Sequence, residues 1–294
     1  MLKDSLKKIF FIYSVAYICT ACDAVKRVGS EDRLLVKNSF TVNGKNTKSE
    51  TLSKLSFQQV NSTILGIPVR LHIYNLARPN KDSIFEKWLN KHPKRKQRLI
   101  NKFSKKQLDQ LKKSSLGFNS WLKKTGEVPS ILDSLKIKKT KLNLERYYFS
   151  KGWFDRKIEY EIDTLGNKRA TLAYKIQTGT AYNIGAIKTN IETPVLELLF
   201  EKSKENSFIK KGKQFDISDF ENERNRLTTH FRNSGVYHFS QDYISFENDT
   251  IGTKHNVDLE INIPNRILRT QDSTIQEPFK TYRIKEVNIF TDAS

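Results

Sequence analysis

Few residues of this chain have the type and spacing that chemistry requires. Asp242, Asp249 and Asp258 come nearest to a carboxylate set. A hydrolytic or group-transfer site also needs a nucleophile with its base, or metal-ligand spacing. These acids have no Ser/His partner and no such spacing. They fall on or beside a predicted hairpin, where solvated strand-end acids account for them. The five histidines (His72, His92, His230, His238 and His255) are scattered, and none forms an HExxH or HxH group. His72 sits in a strand-like alternation and reads as a strand residue. The two thiols, Cys19 and Cys22, exclude a disulfide framework and a Cys-based metal site. The expectation is a protein without catalytic residues, metal or cofactor.

What remains for Cys22 is set by its surroundings. Residues 1–8 carry three lysines, residues 9–19 (IFFIYSVAYIC) are apolar, and the small pair Thr20-Ala21 precedes Cys22. That is the layout of a secretory signal, and the run is too short to span a bilayer as a helix. Cys19-Thr20-Ala21-Cys22 resembles a lipobox, with Cys19 standing where Leu is usual. The expectation is cleavage after residue 21 and lipidation of Cys22. Asp23 leaves retention in the inner membrane open. Residues 1–21 hold Lys3, Asp4, Lys7 and Lys8, so of the net +20 the mature chain keeps +18. A surface of that charge attracts anions: nucleic acid, lipid headgroups or an acidic protein. Export excludes chromosomal DNA, and headgroup phosphates become the fitting counter-charge.

The elements that carry these residues repeat. A helical stretch ends in Gly plus two aromatic or apolar residues and enters a strand–turn–strand, first over Leu142–Gly179 and again over Phe220–Pro264. The junctions are Gly152-Trp153-Phe154 and Gly235-Val236-Tyr237. A repeat of this length implies an array of small α+β modules, which usually bind or scaffold. Gly152 is expected to supply a left-handed helix cap.

Along the chain, residues 22–33 read as a tether, and Leu34–Val42 reads as a strand before an Asn43-Gly44 turn. Ser49–Val60 reads as a helix. Ile67–Tyr74 alternates and reads as a half-buried strand. In 77–125, Ile84, Phe85, Trp88 and Leu89 suggest an amphipathic helix, and Ser104-Lys105-Lys106-Gln107 fits a capping box. Lys91–Lys113 holds ten Lys/Arg and one acid, Asp109. It reads as a solvated basic face or a surface turned to headgroups. Thr140–Lys151 is the helix before the first junction, and the hairpin after it turns at Leu165-Gly166-Asn167.

The second copy reads as β-α-α-β-β. Its strand is Tyr182–Ile191, its first helix is opened by Thr193-Pro194, and its second by a capping box at Ser218–Glu221. The hairpin is Tyr243–Phe246 with Val257–Ile263. Tyr282–Ile289 resembles the start of Tyr182–Ile191, as if a third copy began and were cut short.

The β-α-α-β-β repeat with its Gly-aromatic junction resembles the POTRA domain. The lipobox, Leu34–Asn38, Tyr74-Asn75-Leu76, Gly126-Glu127-Val128-Pro129 and the tandem modules together resemble the TamA-like lipoproteins (TamL) of the BamA/TamA superfamily of outer-membrane assembly factors. The resemblance covers nearly the whole mature chain. It implies module 1 at 34–179 with an insertion at about 65–127, module 2 at 180–265, and 281–294 as the first strand of a truncated third. The family carries a C-terminal barrel after such modules, and the expectation is that this sequence represents the arm that precedes it.

The resemblance further implies a lipid-anchored arm at the outer membrane, on its periplasmic side, with unfolded outer-membrane proteins and other envelope assembly proteins as partners. Clients would add to an edge strand. That strand is the first of each hairpin: Lys157, Ile158, Glu159, Tyr160 and Glu161 in one module, and Ser240 through Phe246 (Ser240, Tyr243, Ile244, Ser245, Phe246) in the other. A passive adaptor docking another envelope protein is the alternative.

Overall fold

The computed structural model describes residues 24–91, 93–269 and 273–289. The signal segment with Cys22 lies outside the described residues. The chain divides into two compact units, Met1–Asn143 with Glu159–Lys175, and Leu144–Ile158 with Ile176–Ser294.

The first sheet has the order β2-β1-β4-β3, with β1 Leu34–Val42, β2 Lys45–Thr47, β3 Lys157–Leu165 and β4 Arg169–Gln177. Asn43 and Gly44 join β1 to β2 with φ of 49° and 80°. Two successive positive φ values make the mirror-image turn that Asn-Gly favours and that suits a twisted hairpin. β4 buries Ala170, Leu172, Tyr174 and Ile176 on one face, the period-2 pattern of a strand covered on one side. Phe40 of β1 stacks on Tyr174, centroids 5.4 Å apart.

Two helices belong to this sheet's β-α-α-β-β order: α1 Glu50–Leu55 and, after an insertion, α6 Ser134–Ser150. α1 is shorter than Ser49–Val60. Ser49 caps its start, and at its end the Ser56 hydroxyl donates to the nearby Gln58 carbonyl, while the Gln58 side chain accepts from the distant Asp133 nitrogen. That competition ends the helix. α6 begins before Thr140 because Asp133 accepts hydrogen bonds from the backbone of Leu135 and Lys136. Its buried residues Ile137, Thr140, Leu144 and Tyr148 follow the helical period.

The insertion carries α2 Val69–Leu76, α3 Lys81–Asn90, α4 Pro93–Lys102 and α5 Lys105–Thr125. α2 replaces the strand expected at Ile67–Tyr74, so His72 is a helix residue. Its buried positions are Leu71 and Asn75, one helical turn apart. Leu71 packs with Ala24, Val25, Val28 and Leu34, and Asn75 Nδ2 donates to the Ala24 carbonyl at 3.1 Å. Eight alternating residues fit either period, and these distant partners choose the helix. Gly126 closes the insertion: a Cβ there would lie 2.5 Å from the Tyr74 nitrogen, so any side chain would push α2 away. The capping box at Ser104 and Gln107 forms as expected.

The second unit contains β5 Asn183–Ile191, α7 Pro194–Ser203, α8 Ile217–Asn233, β6 Ser245–Asp249 and β7 Asn256–Ile263. β5 runs parallel to β7 and β6 antiparallel to it, in the order β5-β7-β6. First, third and second strands therefore lie side by side, as in β1-β4-β3. The protein is α+β, built from two β-α-α-β-β modules. Leu196 and Phe200 of α7, Leu227 and Phe231 of α8, Ile261 and Ile263 of β7, and Phe279 form the core.

Two expected caps differ. Thr193 precedes Pro194 but makes no cap bond. Its hydroxyl donates to Asn265 Oδ1 at 2.8 Å and accepts from the Phe279 nitrogen at 3.1 Å. The proline has already removed one orphan donor at this helix start. α8 is capped by Asp216, which accepts from the Ser218 nitrogen, in place of a box at Ser218.

After β7 comes a small antiparallel pair, β8 Arg266–Arg269 and β9 Thr274–Glu277. Residues 281–289 form no ladder among the described residues. A first strand needs its third as partner, and none is described beside it.

Candidate functional site

β3 and β6 are the outer strands of their sheets, each paired on one side only, with β4 and β7. Within β3, Ile158 is buried and Tyr160 half-buried, packing 6.4 Å from Tyr174. Lys157, Glu159 and Glu161 face solvent, and Glu161 pairs with Lys175. One apolar face holds the strand to its sheet, and the charged face keeps the edge soluble.

β6 starts later than expected. Ser240, Tyr243 and Ile244 lie outside the strand. Residues 241–243 form a 3-10 turn in which the Tyr243 nitrogen donates to the Ser240 carbonyl and the Ile244 nitrogen to that of Gln241. Ile244 is fully buried in the core, and Tyr243 packs on Phe239 and Phe279. Burial of these two side chains outweighs the alternation that suggested a strand. Ser245 and Phe246 do begin β6, which runs on through Glu247, Asn248 and Asp249, residues sequence reasoning missed. Their mixed polar run carries little strand propensity; the turn residues after it are the only signal. Arg224 fixes the start of the strand. Its Nε donates to the Ile244 carbonyl at 3.2 Å, and its guanidinium lies 5.2 Å over the Phe246 ring.

The opposite edge of the second sheet is partly covered. The Ile184 nitrogen donates to the Lys213 carbonyl, the Gly212 nitrogen to that of Ile184, and the Phe215 nitrogen to that of Tyr182. The loop before α8 thus pairs with the beginning of β5, which leaves β6 as the cleaner edge.

The two glycine junctions use the same bonds. Gly152 and Gly235 have φ of +84° and +93°. The next nitrogen, of Trp153 or Val236, reaches back to the carbonyl of Tyr148 or Phe231. This is the six-to-one closure of a Schellman cap. Each glycine carbonyl then accepts a tyrosine nitrogen from the segment beyond the hairpin: Tyr182 to Gly152 at 2.9 Å and Tyr282 to Gly235 at 2.7 Å. After the first junction Phe154 contacts Phe149, Tyr182 and Phe215, with centroids 4.8–5.4 Å apart. Phe215 continues to Phe220 and Phe220 to Phe246. A chain of rings therefore links the helix end to the edge strand β6. At the second junction Val236 is buried in the core, while Tyr237 is exposed and stacks edge-on with His238.

Lys151 and Asp216 form an ion pair beside the first junction. Burial raises the Asp216 carboxyl, but the hydrogen bonds from Lys151 and Ser218 outweigh it, and the pKa sits below the ordinary value. A carboxyl depressed in the folded state stabilises the fold above its unfolded pKa, and that contribution is lost as pH falls through the folded pKa. Stability is therefore expected to drop as pH falls below about 4, and Asp216→Asn should flatten that part of the profile. Thermal melts from pH 5 to 2 measure it; an unchanged profile in the variant would refute the assignment.

Two of the candidate acids serve the backbone. Asp249 Oδ1 accepts from the Ile251 nitrogen, and Asp258 Oδ1 from that of Ala186, each holding a local irregularity. Asp249 and Asp258 face each other across β6 and β7, whereas Asp242 sits in the 3-10 turn. Among the described residues no three of His, Cys, Asp and Glu gather to hold a metal ion, and no helix is long and apolar enough to cross a membrane.

No protein-family model matches the chain, and no curated protein matches it. Among solved structures, POTRA3-5 of Haemophilus influenzae BamA is similar at 13% identity and a TM-score of 0.34, over 79% of this chain and 66% of that one. POTRA1-3 of the periplasmic domain of Anabaena Omp85 is similar at 13% identity and a TM-score of 0.28, over 46% of this chain and 49% of that one. The shorter POTRA1-2 of the same protein gives 8% identity and a TM-score of 0.28, over 79% and 96%. The chain thus spans about half to two thirds of the first two structures.

Proposed function

We propose that this chain is a periplasm-facing arm of an outer-membrane protein assembly factor, anchored by lipid on Cys22, and that β3 and β6 receive extended segments of unfolded clients. The observation that supports this is the shared edge. Both sheets end on the second strand of the β-α-α-β-β order, and that strand is paired on one side only. An added strand gains backbone hydrogen bonds with little sequence preference. Such an edge suits a receiver of many different clients. The acids and histidines are given no catalytic part.

Proline substitution tests the edge. Successive nitrogens along a strand point to opposite sides. Of Glu247→Pro and Asn248→Pro, therefore, one removes a bond to β7 and the other removes a donor from the open edge. The first should lower stability. The second should leave the fold in place and cut photo-crosslinking of unfolded barrel proteins to β6 at least fivefold, about the loss of one net hydrogen bond. Crosslinking that survives both substitutions would defeat the proposal. Capture of one stoichiometric folded partner, with no unfolded clients, would favour an adaptor instead.

A further inference from the structure

We propose that the helical insertion of the first unit docks on an anionic lipid bilayer, independently of the sheet edges. Phosphate headgroups would gather on its lysines while Phe118 and Trp121 enter the interface.

Charge is the first observation. Residues 77–125 carry fifteen Lys and Arg against Asp82, Glu86 and Asp109, a balance of +12 out of +20 for the chain. Three acids cannot neutralise fifteen bases, so the surface needs an external counter-charge.

The second observation is how α5 sorts its residues. Leu108, Asn119 and Leu122 are buried. Leu111, Phe118 and Trp121 lie at i, i+7 and i+10, on a neighbouring side of the helix, and are 57%, 58% and 54% exposed. Lys106, Lys113 and Lys124, at i, i+7 and i+18, form the next strip and are exposed. Core, apolar stripe and basic strip thus follow one another around the helix, the layout of a segment lying in a membrane interface.

The exposure does not come from a loose helix. Asn119 clasps both backbone groups of Arg78, accepting from its nitrogen at 2.7 Å and donating to its carbonyl at 3.0 Å. Lys81 Nζ donates to the Ser115 carbonyl at 2.9 Å. Phe118 and Trp121 stack on each other with centroids 5.7 Å apart. Beside Phe118 a groove of about 510 Å³ is lined by Leu76, Ile84 and Trp88, so the apolar area extends beyond one helix.

The chemistry favours lipid over an acidic protein. Twelve of the fifteen bases are lysine. Protein interfaces are depleted in lysine and enriched in arginine, whereas a headgroup layer needs only charge near its surface, worth about 1 kcal/mol per base. Exposed tryptophan at the rim fits an interface that is apolar on one side and wet on the other.

The test compares the full chain on vesicles of phosphatidylcholine and on vesicles containing about one third phosphatidylglycerol. The apolar run at residues 9–19 can enter either, so the readout is the excess on the anionic vesicles. That excess is expected to fall at least tenfold in the Lys106→Glu, Lys113→Glu, Lys124→Glu variant, and to fall with salt. In a Trp88→Phe, Trp153→Phe background the emission of Trp121 should be quenched by brominated lipid, and a Phe118→Ser, Trp121→Ser variant should keep the salt-dependent attraction but bind the anionic vesicles several-fold more weakly. All five residues are exposed, and circular dichroism checks the fold. Equal binding to the two vesicles, or an excess untouched by the lysine changes, would overturn the proposal. Binding to polyglutamate without any anionic-vesicle excess would assign the surface to an acidic protein.

Discussion

Arg226→Met is expected to cost the second unit about 3–5 kcal/mol, the penalty for leaving a buried charge without its partner. Glu223 on α8 is 0% exposed. Arg226, one turn on, meets it with two parallel bonds, Nε to Oε2 at 2.9 Å and Nη2 to Oε1 at 2.6 Å. The same carboxylate accepts from the Phe208 nitrogen at 3.0 Å, and Arg226 Nη1 donates to the Ser203 carbonyl at 3.1 Å. The pair therefore holds the segment between α7 and α8 as well as itself. With Met in place, the carboxylate keeps only the Phe208 donor. The double variant Glu223→Leu, Arg226→Met should recover much of the loss, because no charge is then buried. It should not recover all, since the Phe208 N–H is left without an acceptor at about 1–3 kcal/mol. Urea unfolding measures both. Trp153 is the one tryptophan of the second unit, so a Trp88→Phe, Trp121→Phe background isolates its transition. A single variant as stable as the parent would contradict the account.

The second large effect is at Gly152. A Cβ there would sit 3.0 Å from both Phe215 Cβ and the Phe215 carbonyl oxygen, and 3.1 Å from the Tyr182 oxygen. The oxygens belong to backbone and cannot swing aside. Gly212 is the natural control: its φ of +82° nearly equals the +84° of Gly152, but nothing lies within 4 Å of its Cβ position. Gly212→Ala should cost only the left-handed strain, about 1 kcal/mol. Gly152→Ala should cost about 2–4 kcal/mol, strain and overpacking together. Equal costs at the two sites would show that the contacts at the junction are soft.

The second module was the more readable part of the sequence, and the reason is local. Thr193-Pro194, Gly235 and the helix stripe Phe220, Leu227 and Phe231 each act over a few residues, and all three mark real features. Even here the cap of α8 was set two residues late, because Asp216 and Ser218 are equally good cap residues and geometry alone chooses. Ile67–Tyr74 failed for a different cause. Its alternation is genuine, but Leu71 and Asn75 are fixed by residues 24–34, far back in the chain. Tyr243 and Ile244 were misread as strand for the same kind of reason: Phe239 and Phe279 claim them. The Glu223–Arg226 pair looks in sequence like any solvent-facing pair three residues apart. The ring chain from Phe149 to Phe246 joins residues nearly a hundred positions apart, and no window of sequence shows it. Of the candidate site, the edge position of each first hairpin strand was legible through the resemblance, while the extent of β6 was not.

The first-third-second strand order has a consequence in time. β5 cannot join its sheet until β7 exists, and Asn183 meets Asn256 across both helices of the module. The wait is longer in the other sheet, where the Ser39 hydroxyl reaches a carbonyl of β4 that lies 133 residues later. During synthesis at about 5–20 residues per second, the side of β1 away from β2 is exposed for seconds before β4 is made. Helices complete themselves locally in that interval, and the sheets close last. The helical insertion lengthens the first closure, but loop entropy grows only logarithmically, about 0.6 kcal/mol for each doubling. The insertion is therefore a burden on the speed of folding far more than on its final balance.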